Sequence, residues 1–467
     1  MIMSEQIHDN TQQAKNYRNT TIFIFDVILF FTLLAFLPFD PAPNKALALL
    51  AFVAVLWLTE ALHVTITALF IPVLSILLGL VDSKRALVAF ADPTIFLFFG
   101  GFALATALHI QKIDKLIANK IMVLAKGNLF VAVLYLFLVT AVLSMWMSNT
   151  ATAAMMLPLS LGLLSNLDKE KDHDTFAFVI LGIAYSAGLG GMGTLVGSPP
   201  NAIAASQLGI GFAEWLYYGL PMVVLLLPAT LAVLYFNFRP KFNSSFEYVA
   251  ENIQLDRKRI TTLGIFLVIA LCWVFGDQVN NFISPLLGLK EKIGSFDSLV
   301  AMIAALALCA TRVTTWKQLQ EGTEWGVLFL FGGGLTLSYV LSHTGASKIM
   351  AEGIVELIEG KHYYIICLII AAFICVLTEF TSNTASAALL VPIFISIAQS
   401  LQIDPRAFAL IIGFGASCAF MMPVGTPPNA IAFSTGIVTQ RDMLRSYKIS
   451  LVCIITLSLI GYFVWLK

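Results

Sequence analysis

The sequence predicts an all-α polytopic membrane protein with about eleven transmembrane helices, two re-entrant hairpins and two inverted-topology repeats with broken helices. Three observations lead there. Of 467 residues, 59% are hydrophobic and only 12% charged, whereas soluble domains are about half apolar and about a quarter charged. Mean hydropathy is +0.88. Apolar runs of 17 residues or more recur from end to end, each long enough to enter a hydrocarbon core of about 30 Å. Finally, three motif blocks occur twice in the same order.

Taken in chain order, residues 1–20 are polar and lack an early apolar stretch with a small-residue cleavage site, so they read as a retained cytoplasmic N-terminal tail rather than a signal peptide. Spans are expected near 21–39, 46–63, 64–82, 93–110, 178–208, 214–236, 259–276, 298–312, 326–342, 406–435 and 446–466. The apolar pairs 129–165 and 363–400 read as hairpins, which leave sidedness unchanged. With the N-terminus inside, 18 of the 27 Lys and Arg residues fall on the cytoplasmic side, as the positive-inside rule requires. The expected location is the cell inner (plasma) membrane, with the lipid bilayer as solvent. The expected organisation is a first repeat with its preceding scaffold helices over 21–236, a cytoplasmic linker at 237–258 and a second repeat over 259–467.

The repeat carries the organisation. Phe99-Gly100-Gly101 returns as Phe331-Gly332-Gly333, and Ser148-Asn149-Thr150-Ala151 as Ser382-Asn383-Thr384-Ala385. The eleven residues from Val196 to Ser206 match those from Val424 to Ser434 at nine positions. Five crossings separate the two Phe-Gly-Gly copies, so the second copy lies upside down relative to the first. Inverted repeats put substrate and ion sites near the bilayer midplane, at discontinuous helices in equivalent places.

The chemistry follows from four polar interruptions. Gly197-Ser198-Pro199-Pro200-Asn201 and Gly425-Thr426-Pro427-Pro428-Asn429 sit inside apolar runs, where paired prolines remove amide donors and break a helix. Unwound backbone at membrane depth is tolerated only when buried in protein or lining a cavity. The freed carbonyls of Val196, Gly197, Val424 and Gly425 suit a cation, and the helix N-termini beyond them suit an anion. The Ser-Asn-Thr tips add hydroxyl and amide groups that can donate to a carboxylate or accept toward sodium. Ser144 and Thr378 stand four residues before the serine of each tip. A single Ser-Asn-Thr would pass as interhelical packing; two copies paired with two breaks point to a ligand site.

Few ionisable residues fall at depth, where they are functional by default. Asp26 lies near the cytoplasmic end of the first span, within reach of water. Glu60 and His63 share the junction of the second and third spans, where a structural polar pair is expected. Glu379 precedes the second tip and reads as an anchor or supporting group. Neither tip nor break holds Lys or Arg, so sodium would have to supply the positive charge. The six cysteines are scattered in apolar segments without metal-type pairing, and the glycine runs read as helix packing. No basic tract suits nucleic acid. An enzyme using Ser148 or Ser198 as nucleophile lacks a histidine near either motif, so none is expected.

These motifs, with the stretch Thr378-Glu379-Phe380-Thr381-Ser382-Asn383-Thr384-Ala385, resemble the divalent-anion/sodium symporters, especially bacterial INDY-type dicarboxylate transporters. The resemblance spans nearly the whole chain from about residue 21. It implies a homodimer whose scaffold domains form the interface while a transport domain, carrying both hairpins and both broken helices, moves as an elevator. By motif, it implies one sodium site at Ser144, Ser148, Asn149 and Gly197, and another at Thr378, Thr381, Asn383 and Gly425. Substrate would touch Ser148, Asn149, Thr150, Ser198, Pro199, Ser382, Asn383, Thr384, Thr426 and Pro427. The implied function is sodium-coupled symport of C4-type dicarboxylates such as succinate, fumarate and malate. A sodium-independent exchanger, or a carrier of another oxyanion such as sulfate or citrate, is the alternative, and the lack of a basic residue at the sodium positions favours the symporter.

Overall fold

The computed structural model of the chain describes residues 2–242, 253–358 and 360–466. All regular structure among them is helical. The first half runs through α1 (Ile2–Phe36), α2 (Pro41–Thr59), α3 (Val64–Leu77), α4 (Pro93–Ile110) and α5 (Ile113–Leu124). Its hairpin follows as α6 (Leu129–Ser144) and α7 (Asn149–Leu163), then a broken helix, α8 (His173–Gly191) and α9 (Pro199–Leu208), and finally α10 (Phe212–Phe238). The second half comprises α11 (Arg257–Val274), α12 (Phe296–Ala310), α13 (Trp325–His343) and α14 (Ala346–Ile358). Its hairpin is α15 (Tyr363–Leu377) with α16 (Asn383–Ser400), its broken helix α17 (Arg406–Gly415) with α18 (Pro427–Ser434), and α19 (Tyr447–Ile460) closes it. The polytopic membrane architecture expected from the sequence is present.

Among the described residues, eight helices are long and apolar enough to cross a bilayer, or nine counting a bent pair. Several expected spans fall short of that length for structural reasons. The runs at 178–208 and 406–435 are each divided by a proline break, and α3 and α12 hold only 14 and 15 residues. The span expected at 259–276 ends in a bend of 96° between α11 and a short helix, Gly276–Leu286. The polar N-terminal stretch, read as a tail, is helical from Ile2 and continuous with the first span. Of the expected linker, 243–252 lie outside the described residues, as do Met1, residue 359 and Lys467.

The halves exchange partners as a two-fold relation demands. α4 packs on α12, and α3 on α13. In both contacts glycine permits the approach, since a methyl on Gly100 would overlap the Ala301 backbone and one on Gly333 the Ala68 backbone. The ligand-bearing pieces exchange too: α18 packs on α7 and α8 of the first half, while α9 packs on α16 and α17 of the second. Helix α8 is enclosed almost all round, which suits a helix apolar on every face. By contrast, α1 leaves Ile24, Phe25, Ile28 and Phe31 exposed, a face suited to lipid. Asp26 does not meet water as expected. It is fully buried, and neither carboxylate oxygen has a hydrogen-bond partner.

Candidate functional site

Each hairpin pairs two apolar helices around its tip, and the 16 residues of α6 rise only about 24 Å at 1.5 Å per residue, whereas the 18 residues of α16 are long enough to cross a bilayer. Each tip is fixed by its own serine. Ser148 caps α7 by accepting from the Ala151 amide at 3.3 Å, and Ser382 caps α16 through Ala385 at 3.4 Å. In the breaks, prolines occupy the first positions of α9 and α18, where their missing N–H costs nothing.

The asparagine that ends each Pro-Pro-Asn stitches the unwound turn before it. Asn201 Nδ2 donates to the Gly191 and Thr194 carbonyls at 2.8 and 2.7 Å. Asn429 Nδ2 donates to the Ala419 and Met422 carbonyls at 3.0 and 3.1 Å. All four acceptors keep the same offset between halves, so duplicated sequence has become duplicated geometry. Sequence reasoning saw these asparagines only as part of the break.

Tips and breaks meet around one cavity of about 570 Å³. All ten residues expected to touch substrate line it: Ser148, Asn149, Thr150, Ser198, Pro199, Ser382, Asn383, Thr384, Thr426 and Pro427. So do Gly197, Thr381 and Gly425. Ser148, Ser382, Ser198 and Thr426 are the N-cap residues of α7, α16, α9 and α18, so four helix N-termini border the same space. A helix N-terminus carries about half a positive charge at close range, and no Lys or Arg lines the cavity among the described residues.

Behind the tips lie two oxygen clusters. Ser144, fully buried, donates from Oγ to the Ala187 carbonyl at 2.7 Å and stands 2.5 Å from Asn149 Oδ1. The same corner of the Asn149 amide is 3.2 Å from the Gly197 carbonyl and 3.1 Å from that of Ala187. Oxygens this close repel one another. A cation at their centre relieves the conflict, and so does turning the Asn149 amide to present its nitrogen. In the second half Thr378 donates to the Ala416 carbonyl at 2.8 Å and also contacts Asn383 Oδ1. Ser144 and Thr378 therefore lie outside the cavity lining, one layer back. The Ala187 and Ala416 carbonyls were not foreseen, because nothing in an alanine side chain announces a carbonyl. The Thr381 hydroxyl is committed to the Leu377 carbonyl and Ser386, which leaves its own carbonyl as the group available to an ion.

The halves differ beside the tips. Glu379 is fully buried and accepts from the amides of Phe420, Met421 and Met422 at 2.7 to 3.0 Å. It is the anchor expected, tying the second tip to the second break. The first half uses Thr194, which donates to the Met145 carbonyl and accepts from the Gly197 amide at 3.1 Å. Glu60 and His63 do not pair as expected. His63 Nδ1 accepts from the Thr65 amide at 3.3 Å, whereas Glu60 lines the cavity.

Two halves that bring duplicated tips and broken helices to one polar cavity have the architecture of a membrane transporter. The chain belongs to the citrate-transporter family: a family model described as "Citrate transporter" matches residues 54–413 and 298–466. It is 64% identical over 454 residues to an uncharacterized transporter of Haemophilus influenzae, covering 97% of this chain and 98% of that one. Against the sodium-dependent dicarboxylate transporter SdcS of Staphylococcus saprophyticus it is 30% identical over 496 residues, covering 97% and 93%. Among solved structures it resembles the Alcanivorax borkumensis YdaH transporter, with a TM-score of 0.57 at 11% identity over 97% and 99% of the chains. MtrF of Neisseria gonorrhoeae gives 0.54 at 14% over 84% and 85%. Both structural likenesses speak to fold. The protein is thus a multi-pass transporter of the dicarboxylate and citrate type, not an enzyme, and the expected likeness to the divalent-anion/sodium symporters holds.

Proposed function

We propose that this chain carries C4-type dicarboxylates such as succinate, fumarate and malate into the cell together with sodium. The observation that carries the reading is the convergence of four helix N-termini on a cavity backed by the Ser144–Ala187 and Thr378–Ala416 polar pairs. Substrate carboxylates take the amide ends and the hydroxyls of Ser148, Thr150, Ser382 and Thr384. One sodium sits among Ser144, Ser148, Asn149 and Gly197, and another among Thr378, Thr381, Asn383 and Gly425. The ions and the dianion neutralise one another in a poorly solvated space, so each raises the affinity for the other. The SdcS relatives, named as sodium-dependent dicarboxylate transporters, support this choice.

The carrier works as a homodimer in the plasma membrane with its N-terminus cytoplasmic. The hairpins and broken helices move together as an elevator against the remaining helices. Citrate is the second reading, favoured by the family description. Labelled succinate uptake into proteoliposomes, driven by an inward sodium gradient and repeated with potassium or choline, tests both. Sodium-dependent uptake is expected; equal uptake in all three salts would sink the coupling, and displacement of succinate by citrate at much lower concentration would transfer the assignment to citrate.

A further inference from the structure

The cavity that should attract a dianion carries two carboxylates of its own. Glu324, just before α13, and Glu60, at the corner between α2 and α3, are the charged side chains among its lining residues. Both come from helices outside the hairpins and broken helices. Uncompensated negative charge in an anion site costs affinity, so its presence needs a reason.

Glu324 has been released from the usual task of its position. At the repeat offset of 232 that relates the Phe-Gly-Gly copies stands Asp92, the N-cap of α4, whose carboxylate caps its own helix by accepting from the Thr94 amide at 2.8 Å. Glu324 is the N-cap of α13, yet its side chain makes no capping hydrogen bond. Its carboxylate instead faces the cavity that Ser148 also lines. Ser148 Oγ already accepts from Ala151, so its proton is free to be donated outward. Glu60 holds a left-handed backbone conformation, φ 50° and ψ 31°, that a non-glycine residue adopts at a cost. No ion pair or hydrogen bond engages its side chain among the described residues, and it opens into the same space.

We propose that Glu324, seconded by Glu60, is a resident carboxylate of the anion site: in the unloaded carrier its negative charge shares with Ser148 the cavity that a substrate carboxylate later claims. Loading is then an exchange of one carboxylate for another at the first tip. The resident group sets a threshold of affinity. This inference rests on the anion-carrier reading above.

Two measurements test it separately from that reading. In the first, purified wild type, Glu324→Gln, Glu324→Ala and Glu60→Gln are titrated with succinate, citrate and sulfate at saturating sodium, following both thermal stabilisation and uptake. For whichever anion the wild type takes, half-saturation should fall roughly three- to tenfold in both Glu324 variants, the difference between a charged and a neutral competitor. The maximal rate should not rise in parallel, and Glu60→Gln should give a smaller fall. Unchanged or weaker anion binding in both Glu324 variants overturns the proposal, as does a raised sodium requirement, which would make Glu324 a cation ligand. The second uses Ser148→Cys, with and without Glu324→Gln, and the rate of thiol modification by anionic and cationic methanethiosulfonates. Wild-type chain corrects for the native cysteines, of which Cys367, Cys375, Cys418 and Cys453 are buried. The anionic reagent should react several-fold faster once Glu324 is neutralised, and the cationic one more slowly; equal rates overturn the proposal. Should wild type bind none of the three anions, the function falls while the thiol rates still decide whether Glu324 guards Ser148.

Discussion

A single methyl group distinguishes the two breaks. An alanine at Gly197 would put its Cβ 2.5 Å from the Gly191 carbonyl oxygen and 3.0 Å from that of Ser144, where ordinary contact begins at 3.4 Å. Both obstacles are backbone carbonyls at the ends of α8 and α6 beside the first oxygen cluster, so relief means moving carbonyls. Ion ligands tolerate displacements of only about 0.2 Å. At Gly425 the same methyl would meet Ala419 Cβ and Glu379 Oε2 at 3.1 Å, and the Met422 carbonyl at 3.3 Å, gaps that a few tenths of an ångström restore. Overpacking costs about 1–3 kcal/mol; taken wholly from the ion-bound form, that is roughly five- to hundredfold in sodium affinity. Gly197→Ala should lie toward the upper end and Gly425→Ala within about fivefold of wild type. Sodium titration of thermal stability in detergent, paired with the sodium dependence of succinate uptake, reads this directly. Wild-type sodium affinity in Gly197→Ala, or a larger loss in Gly425→Ala, would refute the argument.

Two further outcomes follow from the same geometry. Asn149→Ala and Asn383→Ala remove a tip amide without touching the packing of α7 or α16, so uptake should vanish while size-exclusion profiles remain those of wild type; normal transport by both variants would remove the tips from the site. Glu379→Gln replaces an acceptor-only group facing three amides with one bearing its own donors, losing at least one charge-assisted hydrogen bond worth about 1.5–3 kcal/mol. It should lower the unfolding temperature in sodium-free buffer, where a group serving only to carry protons would leave stability intact.

Much of this was legible in the chain because proline and repetition are loud signals. The hairpins and both breaks fall where duplicated motifs and paired prolines put them, since no apolar helix tolerates Pro-Pro in its interior. The carbonyls of Ala187 and Ala416 were silent because a ligand atom in the backbone leaves no trace in the side-chain alphabet. Glu324 was silent for another reason: the first tip whose cavity it lines is 176 positions away in a different element, and by composition it resembled any acidic residue ahead of a span. Asp26 and the Glu60–His63 junction misled because position along a helix was read as depth, whereas burial depends on which neighbours cover that face. The bend between α11 and its short successor carries no proline at the break and so gave no warning.

The partial positive charge of the four convergent helix ends has no proton to lose. It is made of peptide bonds, so acidifying the medium does not discharge it, no enzyme can acetylate it, and no one substitution removes it. Change of diet for such a carrier therefore runs through contour and hydroxyl placement at the rim of the cavity, with the pull on anions inherited unchanged. A response to acidity would enter through titratable side chains, among them Glu60 and Glu324 at the cavity, or through the cargo itself.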